Sequence, residues 1–242
     1  MKLTVTTIAL LLLFSMISSS VRPSSATVTC PPEATLLEVG EFHGDEVSAE
    51  TGEQWLGLHV SEKGSLLINH TITVESVHDP IIDEGDQKTG KKVSIDLPID
   101  PIFLVNSNWV LQSGPVKTVF DGDGEPLQSI TPRTLKVDTA EYEIKIIGDE
   151  GEKCWTDGLP KNAKLILTHG TSSQVLYTLE ECGNDPGWSL IWAGDLDKDG
   201  KLDLYVTVNQ HYNIVERKLF LSSQADEGQL VAEVAELVTT GC

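Results

Sequence analysis

The chain has 242 residues, 40% of them hydrophobic, and sets 37 Asp and Glu against 17 Lys and Arg, a formal net charge of −20 at pH 7. A surface of that sign repels nucleic acid and anionic lipid, which excludes both as partners, and it attracts divalent cations and basic partners. The length is enough for a substantial core without help from another chain.

At the amino terminus, Lys2, the apolar stretch Ile8 to Ile17 and Ser24-Ser25-Ala26 follow the charged, apolar and small-x-small order of a secretory signal peptide over residues 1–26. The apolar stretch falls short of the roughly 20 residues that span a bilayer. The expectation is an exported protein, secreted or periplasmic, with no stable membrane insertion once the leader is removed. The leader takes Lys2 and Arg22 and no acid with it, so the charge moves from −20 to −22. Cys30, Cys154, Cys182 and Cys242 all lie beyond it, and an even number of cysteines bound for an oxidising compartment predicts disulfides. Three pairings are open. Cys154 with Cys182 and Cys30 with Cys242 is preferred, because the second bridge would tie the two termini together.

Beyond the leader, apolar residues alternate with polar ones between Gly, Pro, Asp and Asn clusters, and long helical periodicity is missing. This predicts an all-β protein, an antiparallel sandwich or an open barrel. Strands are expected at Gln54 to Val60, Ile68 to Ser76, Val93 to Leu97, Ile102 to Leu111 and Tyr142 to Ile146. In Ile68 to Ser76 the even positions Ile68, His70, Ile72 and Val74 form the inward face. The Gly-, Asp- and Glu-rich segment Gly148 to Lys161 divides a β-rich region 27–150 from a second, 151–242, unless the two make one continuous domain. Lys164 to Thr168 and Val175 to Leu179 read as a hairpin about His169 to Ser173, and Trp188 to Gly194 with Leu202 to Val208 as another. Trp188, Leu190 and Trp192 share a parity and read as one core face. Arg217 to Leu221 is a further strand. Leu230 to Val238 fits both periods, a last strand or one short helix.

The connection inside the second hairpin carries the clearest chemistry. Asp195-Leu196-Asp197-Lys198-Asp199-Gly200-Lys201-Leu202-Asp203 has carboxylates at positions one, three, five and nine and glycine at six. Calcium takes six to eight oxygens, and a tight turn with acids on alternate residues aims several of them at one point. The predicted ligands are the side chains of Asp195, Asp197, Asp199 and Asp203 and the backbone carbonyl of Lys201. An EF-hand is excluded, because position twelve is Val206 rather than Glu and strand-like residues flank the loop.

The run Ala193 to Val206 resembles the calcium hairpin of FG-GAP/VCBS repeats, the units of integrin-α-like propellers. The resemblance implies that the acids hold calcium and that Leu204 and Val206 enter the core. It covers only about Leu190 to Val208, and no second complete loop of this kind occurs, so a repeat-built propeller is not expected. The nearest echo, Phe120 to Glu125, lacks the later acids and reads as a hairpin turn. Asp79, Asp83, Glu84 and Asp86 read as solvated charge in a polar loop. The carboxyl-terminal region, through His211-Tyr212-Asn213 and Leu219 to Ser223, also resembles exported bacterial proteins of uncharacterised function.

Neither a GxSxG elbow nor an HExxH helix is present. His43, His59, His70, His78, His169 and His211 show no ligand spacing, and none is assigned a catalytic role. The loop Asn209 to Asn213 reads as a hairpin tip, with polar and aromatic groups that suit a sugar or a peptide. The expectation is an exported, non-enzymatic calcium-binding β protein with an extracellular protein or glycan as partner. Its rival is a polysaccharide-acting enzyme with a structural calcium site and its catalytic acids among residues 27–150.

Overall fold

A computed structural model describes residues 34–107, 111–122, 132–154, 158–179 and 182–241. The expected leader and the Cys30–Cys242 bridge therefore lie outside the described residues, as does the second half of the Phe120 to Glu125 turn. All regular structure among the described residues is strand. In chain order come β1 (Ala34–Leu37), β2 (Gly40–Phe42), β3 (Gln54–Ser61), β4 (Gly64–Thr71), β5 (Thr73–Val77) and β6 (Gly90–Ser94). These are followed by β7 (Leu104–Ser107), β8 (Gly114–Asp121), β9 (Arg133–Val137), β10 (Ala140–Ile147), β11 (Lys164–His169) and β12 (Ser172–Thr178). The chain ends with β13 (Gly187–Asp195), β14 (Asp203–Asn209), β15 (Ile214–Leu221) and β16 (Ala232–Thr240).

Nine strands form one antiparallel sheet in the order β1-β7-β3-β4-β8-β13-β14-β15-β16. Its edge strands β1 and β16 lie against each other, so the sheet curls almost into a closed barrel. Closure removes the exposed edges that make open sheets prone to association. Polar groups help it: Glu38, just after β1, accepts from the Tyr205 hydroxyl of β14 at 2.7 Å and from Arg217 Nε of β15 at 2.8 Å. A four-stranded sheet, β12-β11-β10-β9, and a three-stranded one, β2-β6-β5, complete the fold. The architecture is all-β and is not a propeller.

Two cores follow from this arrangement. Inside the barrel, Leu36, Trp55, Leu58, Leu67, Phe103, Tyr205 and Leu219 pack together. On its outer side, Tyr142, Ile144, Leu165 and Leu167 of the four-stranded sheet pack against Trp188, Leu190, Leu204, Val206 and Val208. Strand β14 serves both, and its residues Asp203 to Val208 are all buried. Along Ile68 to Ser76 the expected faces hold: His70 and Ile72 are buried and the odd positions exposed, although the chain leaves one sheet and joins another at Ile72. Leu230 to Val238 resolves as strand, since β15 offers β16 a full ladder from Ile214↔Thr240 to Leu221↔Ala232.

The shared parity of Trp188 and Trp192 does not survive. Leu190 pairs with Val206 and Trp192 with Tyr205, so Ile191 is an extra residue in the ladder. Such a bulge flips every following side chain to the other face. Trp188 and Leu190 therefore enter the outer core and Trp192 the barrel, where its Nε1 donates to Thr118 Oγ1 at 2.8 Å. The segment Gly148 to Lys161 joins the paired strands β10 and β11, whose ladder runs from Ile147↔Lys164 to Tyr142↔His169. The described residues all fall within one compact unit. Cys154 in that connection is bridged to Cys182, which lies 28 residues on with a Cα–Cα separation of 5.1 Å. A closed loop of this length restricts the unfolded chain by roughly 3 to 4 kcal/mol.

Gly194, just before the acidic loop, sits where β8 crosses closest. A Cβ there would lie 2.0 Å from the Lys117 carbonyl oxygen and 2.5 Å from Trp192 Cζ2. Backbone on one side and a buried indole on the other leave no room to yield, so Gly194→Ala should cost about 3 kcal/mol or more. Urea unfolding of the variant beside the wild type measures this.

Candidate metal centre

The connection between β13 and β14 is a tight turn because two of its residues take left-handed backbone, Lys198 at φ 66° and Gly200 at φ 83°. Glycine does so freely, whereas lysine pays a steric penalty of about 1 kcal/mol. Apolar anchors hold the turn from both sides, with Leu196 buried in the barrel core and Leu202 in the outer core.

This geometry brings three of the predicted side chains together. Asp195, Asp197 and Asp203 each present a carboxylate oxygen, all within 4.8 Å of one another. Asp203 is fully buried; its Oδ2 accepts from the Leu196 amide at 2.7 Å and its Oδ1 from the Ser222 amide at 2.8 Å and hydroxyl at 3.0 Å. Asp195 Oδ2 accepts from the Gly200 amide at 3.1 Å, while its Oδ1 is shut off from solvent with no hydrogen-bond partner. Asp199 stands outside the trio: its Oδ1 accepts from the Lys201 amide at 2.8 Å and the Ser222 hydroxyl at 3.0 Å. Lys201 keeps its side chain in solvent, with Nζ 3.5 Å from Asp199 Oδ2.

Burial and crowding of the carboxylates disfavour their ionisation. Burial, then the neighbouring Asp197 charge, pushes the Asp203 carboxyl up to about 8. Burial and the charges of Asp197 and Asp199 likewise raise Asp195. A divalent cation among these oxygens would reverse both effects, because it favours every ionised form at once. The donor set, all carboxylate oxygen, suits a hard cation such as calcium.

Ser222 and Ser223 are the site residues that loop spacing could not reveal. They follow β15, and their hydroxyls donate to Asp199, Asp203 and Asp197, which latches the β15–β16 turn onto the loop. Both belong to the Leu219 to Ser223 run noted in the sequence, but nothing local marks them as partners of acids about twenty residues upstream.

Elsewhere the structure pairs histidines with carboxylates. The expectation that Asp79 and Asp83 are solvated is corrected: both side chains are buried. Asp79 takes His43 Nδ1 at 2.5 Å, and Asp83 takes the Asp79 amide and the Thr89 amide, each at 2.8 Å. Turn carboxylates that collect several N–H donors need no water. His70 is buried as expected, with its Nδ1 2.8 Å from Asp96 and its Nε2 2.8 Å from His59 Nε2. Gly57 allows this reach, since a Cβ there would lie 2.8 Å from the His70 ring. At the far end of β14, the exposed Tyr212 packs tilted against His211 with ring centroids 4.5 Å apart, and His211 Nε2 meets Asn184 at 2.9 Å.

Comparison with family models, with curated proteins and with solved structures yields no match.

The histidines make stability depend on pH in two opposite ways. The hydrogen bond to Asp79 raises His43 above 6.5, so its contribution is complete below pH 6.5 and is lost as pH climbs through the folded-state value. Burial, and then the His70 charge, lowers His59, so its contribution is complete above pH 6.5 and is lost as pH falls through its folded-state value. In urea titrations over a pH series, the wild-type advantage over His43→Gln should therefore shrink on the alkaline side, and that over His59→Gln on the acid side.

Proposed function

We propose that this chain is an exported, non-enzymatic calcium-binding β protein. In this reading the ion joins Asp195, Asp197 and Asp203, with Asp199 and the Lys201 carbonyl as further oxygens, and presents the surface around it to an extracellular protein or glycan. The observation that carries it is Asp195 Oδ1, a carboxylate oxygen cut off from water, without a donor, and set among two further carboxylates. Burying such a group unpaired costs free energy that one bound dication recovers. The resemblance of Ala193 to Val206 to FG-GAP/VCBS hairpins and the acidity of the whole chain support the same ion. The signal-like residues 1–26 support export, where millimolar calcium is available to a site of modest affinity.

The ion's role follows from where the oxygens sit. Asp203 opens β14 and the Ser222 latch closes β15, so a cation in the loop would lock together the two strands at the centre of the fold. It would then be structural, and any partner binding that depends on this end of the barrel would fade under chelation.

A thermal melt with calcium, with magnesium and with chelator tests this, run beside the double variant Asp197→Ala, Asp199→Ala. Calcium at about ten times its Kd adds about 1.4 kcal/mol, a rise in Tm of about 3–5 °C for a domain of this size. The rise should be selective for calcium and absent from the variant. A wild-type Tm that ignores calcium would overturn the reading. Ser222→Ala should lower the metal-free stability by about 1–2 kcal/mol and weaken calcium binding without abolishing it, since the Ser222 amide still reaches Asp203; titration calorimetry measures the affinity.

A further inference from the structure

The small sheet β2-β6-β5 carries a pocket unrelated to the acidic loop. Its volume is about 350 Å³, within the range of small-molecule sites. Phe42, Val77, Pro80 and Ile81 supply apolar walls, and His43 with Asp79 supplies the polar group set into them. Ile81 is 57% exposed, an apolar side chain at the pocket that an occupant would cover.

The polar pair is built rather than incidental. Asp79 is 3% exposed and its Oδ1 accepts from the amides of Ile81 at 3.0 Å and Ile82 at 3.4 Å, which leaves Oδ2 for His43 Nδ1 at 2.5 Å. Asp83 holds the Asp79 amide from behind at 2.8 Å. Gly90 keeps the floor open, since a Cβ there would come within 3.3 Å of Asp79 Cβ and 3.2 Å of the Val77 carbonyl oxygen. A carboxylate that fixes one imidazole nitrogen sets the ring's orientation and dedicates the other nitrogen to whatever lies opposite. With Nδ1 committed, Nε2 is the polar ring atom left for an occupant.

Charge selects the occupant. His43 faces Asp79, Glu41 is paired with Lys92 at 3.1 Å, and the charges left near the ring, Asp45 and Glu46, are carboxylates. An anion would meet these acids. With Nδ1–H held by the Asp79 carboxylate, Nε2 carries a hydrogen in the imidazolium form, and an ammonium would then meet a second donor. His78, the second histidine at the pocket, has its Nδ1 3.1 Å from the Gln87 carbonyl oxygen. An uncharged carbonyl oxygen needs one donor and brings no charge to desolvate.

We propose that this pocket binds a small, uncharged, chiefly apolar molecule whose carbonyl oxygen accepts a hydrogen bond from His43 Nε2. The hydrogen bond to Asp79 raises His43 above the ordinary imidazole value, which favours the doubly protonated ring whose Nε2 donates. The site stands apart from the calcium reading and does not depend on it.

The probe is hexanamide, titrated into the chain and followed by amide NMR and by the His43 ring nitrogens, with hexanoate and hexylamine as charged controls of the same length. The expected result is saturable binding that moves the amides of Phe42, Val77 and Ile81 and the His43 Nε2 resonance. His43→Phe, which keeps the apolar volume, should weaken it about tenfold or more, and His43→Gln, which retains a neutral donor, by less. Both charged controls should bind more weakly than hexanamide. The wild-type Nε2 shift reads the contact directly, even where a variant folds poorly. No saturation by about 10 mM, shifts confined to other surfaces, affinity unchanged in a folded His43→Phe, or tighter binding of either charged analogue would overturn the proposal.

Discussion

Strand β14 has to satisfy two cores at once, and much of the molecule is arranged around that demand. Its even-numbered apolar residues Leu204, Val206 and Val208 meet the four-stranded sheet, while Tyr205 reaches into the barrel. A strand buried on both faces cannot carry a polar side chain without a partner. Each polar group on it has one: Tyr205 and Thr207 reach the Glu38 and Arg217 network, and Asp203 meets Leu196 and Ser222. The bulge at Ile191 belongs to the same solution, because it lets β13 send Trp188 to one core and Trp192 to the other along a single edge of β14.

Asp203 is where this packing becomes chemistry. A carboxylate at the buried end of a doubly covered strand would be a poor choice were it not part of a loop that gathers two further carboxylates beside it. The Leu196 amide and the Ser222 amide and hydroxyl stabilise its charge only in part, and burial outweighs them, pushing the carboxyl up to about 8. The cost of burying the acid and the convergence of carboxylates that could hold a cation arise together at this end of the barrel. The serine latch from β15 extends it beyond the hairpin that carries the acids.

The histidines show the same economy at other places. In an acidic chain, His43 and His70 each sit against a carboxylate in the small sheet or its connections, Asp79 and Asp96 respectively. The His43 pair lines a pocket, whereas the His59–His70 contact is packed over Gly57.

What the sequence alone determined rests on short-range periodicity. Alternation in Ile68 to Ser76 and Tyr142 to Ile146 set inward and outward faces, because side chains two apart on a strand share a face whatever the sheet order. The acids of the loop were legible for the same reason: they lie within nine residues, so the convergence of Asp195, Asp197 and Asp203 is a property of one turn. The preference for Cys154 with Cys182 agrees with the bridge that forms. Tertiary structure alone decided the rest. Leu230 to Val238 fits two periods, and the free edge of β15 made it a strand. An extra residue at Ile191 reversed the parity of Trp192, and no local pattern announces a bulge. Ser222 and Ser223 reach the acidic loop, and His43 reaches Asp79 across 36 residues, only because strands distant in sequence lie side by side. Spacing encodes what one turn or one strand can bring together; contacts across the sheet depend on strand order, which the chain acquires only on folding.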